Sequence, residues 1–348
     1  MRTATFFDGE GWREGVVLID DDGRMLLRDE PSASRIPRLD GVIVGGFTDH
    51  HVHLQLVEHE LLAQSRLGRV VDLGGDPGVV ASYADAARFV SLRSLNDRDG
   101  ELRSPREERS DETKRATRIE YAGAFLTPVG GYPSDRDWAP AGSVREIVNE
   151  ASSTSSAADA VAEMADAGAS CIKIASNRTA GPVFDDIVFR AIVEAASAHG
   201  LPVVAHAEGR GEAQRVARLG AATLAHAPFT ERLDDEEIAE QAASVTWIST
   251  LAIHGGADLH VALDNVRRFH AACGRVLYGT DMGNGPTPVD LNPLELAALR
   301  DAGLDGPALR GALAPRDPRD PASVLLLLPH RDADPTHARR LTAADLEA

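Results

Sequence analysis

An α/β fold in the form of a TIM-like (β/α)8 barrel is predicted by three observations. Short apolar strands repeatedly end in histidine or aspartate, helical segments separate them, and 348 residues suffice for one barrel-sized core with a small appendage. The first such strand signal is Gly41-Val-Ile-Val-Gly45, which runs into Gly46-Phe-Thr-Asp-His-His-Val-His53. Residues two apart on a strand share a face, so His51 and His53 project together while His50 and Val52 turn away. Two imidazoles on one rigid strand make a claw suited to an ion such as Zn2+. Histidine clusters also occur in tags and disordered tracts, but this one is internal and follows a buried-strand pattern.

A third strand is predicted over Ile119-Glu-Tyr-Ala-Gly-Ala-Phe-Leu126, leading into Thr127-Pro-Val-Gly-Gly-Tyr-Pro133 and then Trp138. That loop is placed to overhang a site, and Tyr132 is a candidate substrate wall able to stack or hydrogen-bond; ordinary loop packing is the alternative. Before it, Leu95 to Arg115 is dominated by Asp, Glu and Arg. This stretch reads as a solvated insertion, disordered or a lid between the second and third units.

The next strand, Ser170-Cys-Ile-Lys-Ile-Ala175, holds Lys173, one of only two lysines among the 36 Lys and Arg residues. A guanidinium stays protonated, whereas a buried amine loses its proton and can serve as nucleophile, Schiff base or carbamate. Taken alone, Lys173 fits equally well a strand lysine whose amine snorkels to the rim. Cys171 shares its face one layer deeper and reads as core filling.

Three more strands end in ligand-type residues: Leu201-Pro-Val-Val-Ala-His206, Ala221-Ala-Thr-Leu-Ala-His226 and Val276-Leu-Tyr-Gly-Thr-Asp281. A helical pattern from Phe184 to the stop signal Gly200 precedes the first, and Glu212 to Gly220 precedes the second. One such residue alone is more often structural. Together, at the C-terminal ends of strands, they lie where a β/α barrel gathers catalytic groups. His254, after Val245-Thr-Trp-Ile-Ser-Thr-Leu251, falls at the mouth of the seventh strand and is a candidate contact for a substrate oxygen, or a plain surface group.

Composition narrows the class. The net charge of −18 disfavours nucleic acid, and the apolar run Val324-Leu-Leu-Leu-Leu328 is too short for a membrane span. Cys171 and Cys273 supply no disulfide framework, and the N-terminus lacks a basic-then-apolar signal, so a soluble cytoplasmic protein is expected.

The ordered set His51-x-His53, Lys173, His206, His226 and Asp281 resembles the amidohydrolase superfamily, in the subtype with two metals bridged by a carboxylated lysine. The resemblance runs from about Gly41 to Leu313. The phrases Gly168-Ala-Ser-Cys-Ile-Lys173, Ala205-His-Ala-Glu208 and Tyr278-Gly-Thr-Asp-Met-Gly283 are most similar to the imidazolonepropionase-like branch that includes prolidase-like dipeptidases. Imidazolonepropionase itself uses one metal and no bridging lysine, so Lys173 argues against that activity. The resemblance implies two divalent ions, expected to be Zn. His51, His53 and Asp281 would hold the more buried one, His206 and His226 the more exposed one, and Lys173 carboxylated by CO2 would bridge them. It further implies that a bridging water attacks an amide while Asp281 moves its proton to the leaving amine.

On this basis residues 41–317 are expected to form the barrel, and residues 1–40 with 318–348 a small β-sandwich appendage, within one chain or completed by a second subunit of a homo-oligomer. The expected activity is hydrolysis of a small molecule with an amide or peptide-type bond: a dipeptide, an N-acyl amino acid or a cyclic amide. The alternatives are a mononuclear deaminase or lactone or ester hydrolase, and a non-catalytic scaffold.

Overall fold

The structure is a computed structural model that describes residues 1–21, 24–30, 36–96, 116–150 and 154–347. The charged insertion expected at 95–115 falls almost wholly on residues 97–115, outside the described residues.

The chain ends build one six-stranded sheet in the order β16-β15-β4-β1-β2-β3. Its strands are β1 (Arg2–Phe7), β2 (Trp12–Ile19), β3 (Met25–Arg28), β4 (Arg38–Gly45), β15 (Leu325–Leu328) and β16 (Arg339–Arg340). Period-two alternation sorts its side chains. Val42, Val44, Leu326 and Leu328 join the main core, while Ile43, Leu325 and Leu327 join Phe6, Val17 and Leu346 in a second cluster on the other face. These strands form a single sheet, one face toward the main core and the other toward Leu341 and Leu346 of the C-terminal segment. Leu325–Leu328 pairs antiparallel with Val42–Gly45.

Gly41–Gly45 ends β4 in the six-stranded sheet, and the parallel strands begin only at β5 (Phe47–Val52). The chain passes between the two units at Gly46, where a Cβ would lie 2.5 Å from the Cα of Gly68.

The parallel strands fall into two sheets. One joins β5, β6 (Leu67–Asp72) and β7 (Arg118–Tyr121). The other, in the order β14-β13-β12-β11-β10-β8-β9, comprises β8 (Phe125–Pro128), β9 (Val144–Ile147), β10 (Ile172–Asn177), β11 (Val203–Glu208), β12 (Thr223–Leu224), β13 (Thr246–Ile248) and β14 (Arg275–Leu277). Helices such as Asp186–Ala198 and Glu212–Arg218 alternate with these strands, each followed by a left-handed glycine, Gly200 or Gly220. The architecture is a mixed α/β fold with parallel sheets. The expected third strand is divided into β7 and β8, because Gly123 adopts φ +78° between them and hands the chain from one sheet to the other.

Backbone bonds nevertheless run between the edge strand β5 and the segment after β14. His50 N donates to Tyr278 O (3.0 Å), His53 N to Met282 O (2.7 Å) and Met282 N to His51 O (3.3 Å). One buried cluster, Val71, Leu73, Ala122, Cys171, Val204, Ala225, Ile248 and Leu277, draws on both sheets. Cys171 thus fills core, as its sequence position indicates. Among the described residues no helix is long and apolar enough to cross a membrane.

The contact between the glycine backbones is testable. Gly46→Ala should destabilise the protein by about 1–3 kcal/mol, the usual scale of overpacking where backbone must move, measured by urea unfolding against the parent. Unchanged stability would remove the close approach as a constraint.

Candidate metal centre

His51 and His53 leave the end of β5 on the same side, and both Nε2 atoms come to 3.1 Å from Oδ1 of Asp281. His50 turns away as the pleat requires, its Nδ1 meeting Tyr278 O at 3.0 Å. Asp281 follows β14 in the left-handed region, at φ +53°, an uncommon conformation for a residue with a side chain and one that clusters at functional sites. His226, just past β12, completes a compact trio: ligand atoms of His51, His226 and Asp281 all lie within 4.8 Å of one another.

Second contacts orient these rings. His51 Nδ1 lies 2.8 Å from Ala225 O, and His53 Nδ1 lies 3.1 Å from Gly74 O. A carbonyl oxygen only accepts, so each Nδ1 carries a hydrogen, and in the neutral ring Nε2 turns its lone pair inward. His226 Nδ1 is held by the Thr250 hydroxyl at 2.8 Å, and Thr250 itself sits at φ +44°. This is the arrangement of metal-binding histidines, whose other nitrogen is fixed by an outer partner.

The electrostatics follow from burial. Burial and the nearby Lys173 hold the His51 pKa well below its ordinary value, and burial with His51 does the same to His226. Burial opposes charge on His53, yet the hydrogen bond and charge of Asp281 leave its pKa raised. For Asp281 burial also opposes charge, but His51 and His53 hold its pKa well below the ordinary range. Lys173, in β10, is only 1% exposed, and burial lowers its pKa to about 8 against the pull of Asp281.

The residues present fit a cation. His51 Nε2 is buried with no hydrogen-bond partner, although a carboxylate oxygen lies 3.1 Å away. A lone pair facing an anion at that distance is repulsive unless a proton or a metal ion lies between them, and burial disfavours the proton.

His206, in β11, arrives beside the trio with its ring 4.8 Å from that of His226. Its Nε2, however, faces Glu208 Oε2 at 3.3 Å. Glu208 also accepts from Asn177 Nδ2 (2.7 Å) and Thr179 Oγ1 (3.0 Å). Tyr132 stands against His206 at 5.5 Å between ring centres, so its loop does reach the site; burial pushes its pKa up to about 12. His254 stacks on Phe229 at 4.1 Å, 6.5 Å from the His226 ring. Its Nε2 is buried without a partner, and burial lowers its pKa to about 4.

Sequence reasoning missed Asp49, Asp72, Thr250 and Glu208. Glu208 carried a signal, since it is two residues beyond His206 on one strand and shares its face. Asp49 carried the same signal, two residues before His51, but its partner Thr280 lies 231 residues away and no local pattern points to it. Its carboxylate is wholly buried and accepts from His51 N (3.0 Å), Thr280 N (3.1 Å) and Thr280 Oγ1 (2.6 Å), while burial pushes its pKa up to about 7. Asp72 accepts from Leu54 N (2.7 Å) and Gly74 N (3.0 Å), so it orients the carbonyl of Gly74 that meets His53.

No protein-family model and no curated protein matches the sequence. Solved structures do match. A Xaa-Pro dipeptidase with methionine bound in its active site superposes with a TM-score of 0.65 at 17% identity, covering 99% of this chain and 95% of that one. A. niger ochratoxinase gives 0.66 at 15% identity over 97% and 92%. A prolidase complexed with N-methylphosphonate-L-proline gives 0.62 at 17% over 97% and 96%. The chain therefore shares the fold of these proteins along nearly its whole length.

Asp49→Ala leaves three buried donors without a partner and should destabilise the protein by roughly 3 kcal/mol or more, whereas Asp49→Asn, which keeps an acceptor, should lose less. Chemical denaturation of both variants measures the difference; equal loss would assign the effect to the charge rather than to the hydrogen bonds.

Proposed function

We propose that this protein is a metal-dependent hydrolase of an amide or peptide-type bond, acting on a dipeptide, an N-acyl amino acid or a cyclic amide. The observation that carries the reading is the convergence of His51, His53 and His226 on Asp281, with the buried amine of Lys173 among them. The fold shared with a dipeptidase, a prolidase and ochratoxinase supports the same class of reaction. We read the parallel strands as one (β/α)8 barrel, supported by the bonds from β5 to the segment after β14 and by the cluster that both sheets fill.

In this reading His51, His53, His226 and Asp281 hold metal, His206 joins them once Glu208 releases its ring, and Lys173 as a carbamate supplies a second anion. Two divalent ions, zinc by the imidazole-rich donor set, would lower the pKa of a bound water and polarise the scissile carbonyl. Carboxylation forms an N–C bond between the neutral amine and CO2 and releases a proton, and burial favours the neutral amine it needs. Asp281 accepts the proton of the attacking water and delivers it to the departing amine. Tyr132 and His254 flank the substrate, the latter offering its partnerless Nε2 to a polar atom.

A second reading is a one-metal hydrolase or deaminase in which Lys173 stays unmodified. The compactness of the His51, His226 and Asp281 trio and the engagement of His206 by Glu208 favour it. Metal analysis of the purified protein separates the readings, at about two ions per chain or about one.

Lys173→Ala should abolish most activity and the second ion, with partial rescue by a short carboxylic acid. Lys173→Arg should be equally inactive, because a permanent cation repels the metals. Full activity in the arginine variant would sink the carbamate.

Asp281→Asn keeps size and one ligand oxygen but removes charge and basicity. Turnover should fall by about two to four orders of magnitude while part of the metal is retained. Rate and metal content measured on one preparation test this, and near-normal turnover would remove Asp281 from the proton path.

A further inference from the structure

Three aromatic rings run as one surface from His53 to His206. Phe125 lies 5.6 Å from the His53 ring, Trp138 lies 6.2 Å from Phe125 and 6.5 Å from His53, and Tyr132 lies 6.1 Å from Trp138 and 5.5 Å from His206. Phe125 is buried, but Trp138 keeps 40% of its surface exposed. An indole held beside buried histidines and a carboxylate leaves in water an apolar face that a ligand at those groups would cover. Trp138 and the half-buried Tyr132 are inclined at 55°, so together they offer a face and an edge, the two contacts an aromatic guest uses, while buried Phe125 backs Trp138 at 79°. The other flank of His206 is polar, lined by Glu208, Asn177 and Thr179, and gives an apolar group no comparable seat.

We infer that the site selects amides that carry an aromatic ring beside the scissile bond, with Trp138 as the specificity-determining platform. The chemistry rests on the hydrolase reading: water adds to the carbonyl carbon, the C–N bond breaks, and the amine leaves with a proton. The binding preference does not rest on it. The ring can belong to the leaving amine or to the acyl group, and two pairs of probes distinguish these sources: N-acetylphenylalanine against N-acetylalanine, and N-benzoylglycine against N-acetylglycine.

The test is calorimetric titration and turnover of the metal-loaded, full-length protein with these four compounds. In at least one pair the ringed compound should bind about tenfold more tightly than its partner, and Trp138→Ala should erase that ratio while Trp138→Phe restores part of it. Should the alanine variant fail to fold, Trp138→Leu keeps apolar bulk without a ring face and should lose the ratio in the same way. Equal affinity within both pairs, an unchanged ratio in the non-aromatic variants, or no binding of any compound overturns the inference. Ring-selective binding without hydrolysis would uphold it while sinking the hydrolase reading; hydrolysis without ring preference would do the reverse.

Discussion

The junction between the end of β5 and the turn after β14 is the constraint on which the site depends. These segments are more than 200 residues apart in sequence, as the 231-residue separation of Asp49 and Thr280 shows. They are bound by backbone bonds from His50, His53 and Met282 and by the Asp49 carboxylate, which bridges His51 N to the amide and hydroxyl of Thr280. The residues so bound are candidate ligands or lie within three positions of one. The positions of His51, His53 and Asp281 relative to one another are therefore set by main chain and one buried carboxylate, with little left to side-chain rotamers. The left-handed backbone of Asp281 persists because this network over-determines it.

Charge is the second organising quantity. Asp49, Asp72, Asp281, Lys173 and the histidines at positions 51, 53 and 226 are all buried, where an unpaired charge is costly and a paired one depends on geometry. Asp49 and Asp72 meet that cost with backbone N–H groups. Asp281 meets it at Oδ2 with Asn284 Nδ2, which donates at 2.8 Å, and at Oδ1 with imidazole nitrogens 3.1 Å away, which leaves a place for a cation. An arginine at position 173 would fill that place permanently; a lysine, with its pKa lowered to about 8 by burial, can give up its proton and vacate it.

Much of this was legible in the sequence because two periodicities carry it. The two-residue repeat put His51 and His53 on one side and His50 on the other, and placed Cys171 in the core below Lys173. The helical repeat with terminal glycines located the helices before β11 and β12. What escaped was decided by irregular backbone or long-range pairing. Gly41–Gly45 looks like any buried strand, and only its pairing with Leu325–Leu328 assigns it to the terminal sheet. The grip of Asp49 on Thr280 joins residues 231 apart, a pairing that no alternation pattern announces. Thr250 is hidden too, since its hold on His226 depends on a left-handed turn after β13.

The division of the third strand shows how such irregularity serves the site. A continuous strand from Ile119 to Leu126 would keep pairing with β6. Instead the pairing ends at Ala122, whose N donates to Asp72 O at 2.8 Å, Gly123 turns the chain, and Phe125 enters the other sheet in register with Lys173. Phe125 then packs against Gly74, where any Cβ would collide with its ring, and Gly74 is the residue whose carbonyl meets His53. One glycine therefore lets an aromatic side chain and a ligand histidine share a few ångströms, and the other brings that side chain there. Where the backbone departs from regular strand, it places an apolar ring against a metal-type imidazole. That juxtaposition joins the reactive groups to the aromatic surface that Trp138 extends to solvent.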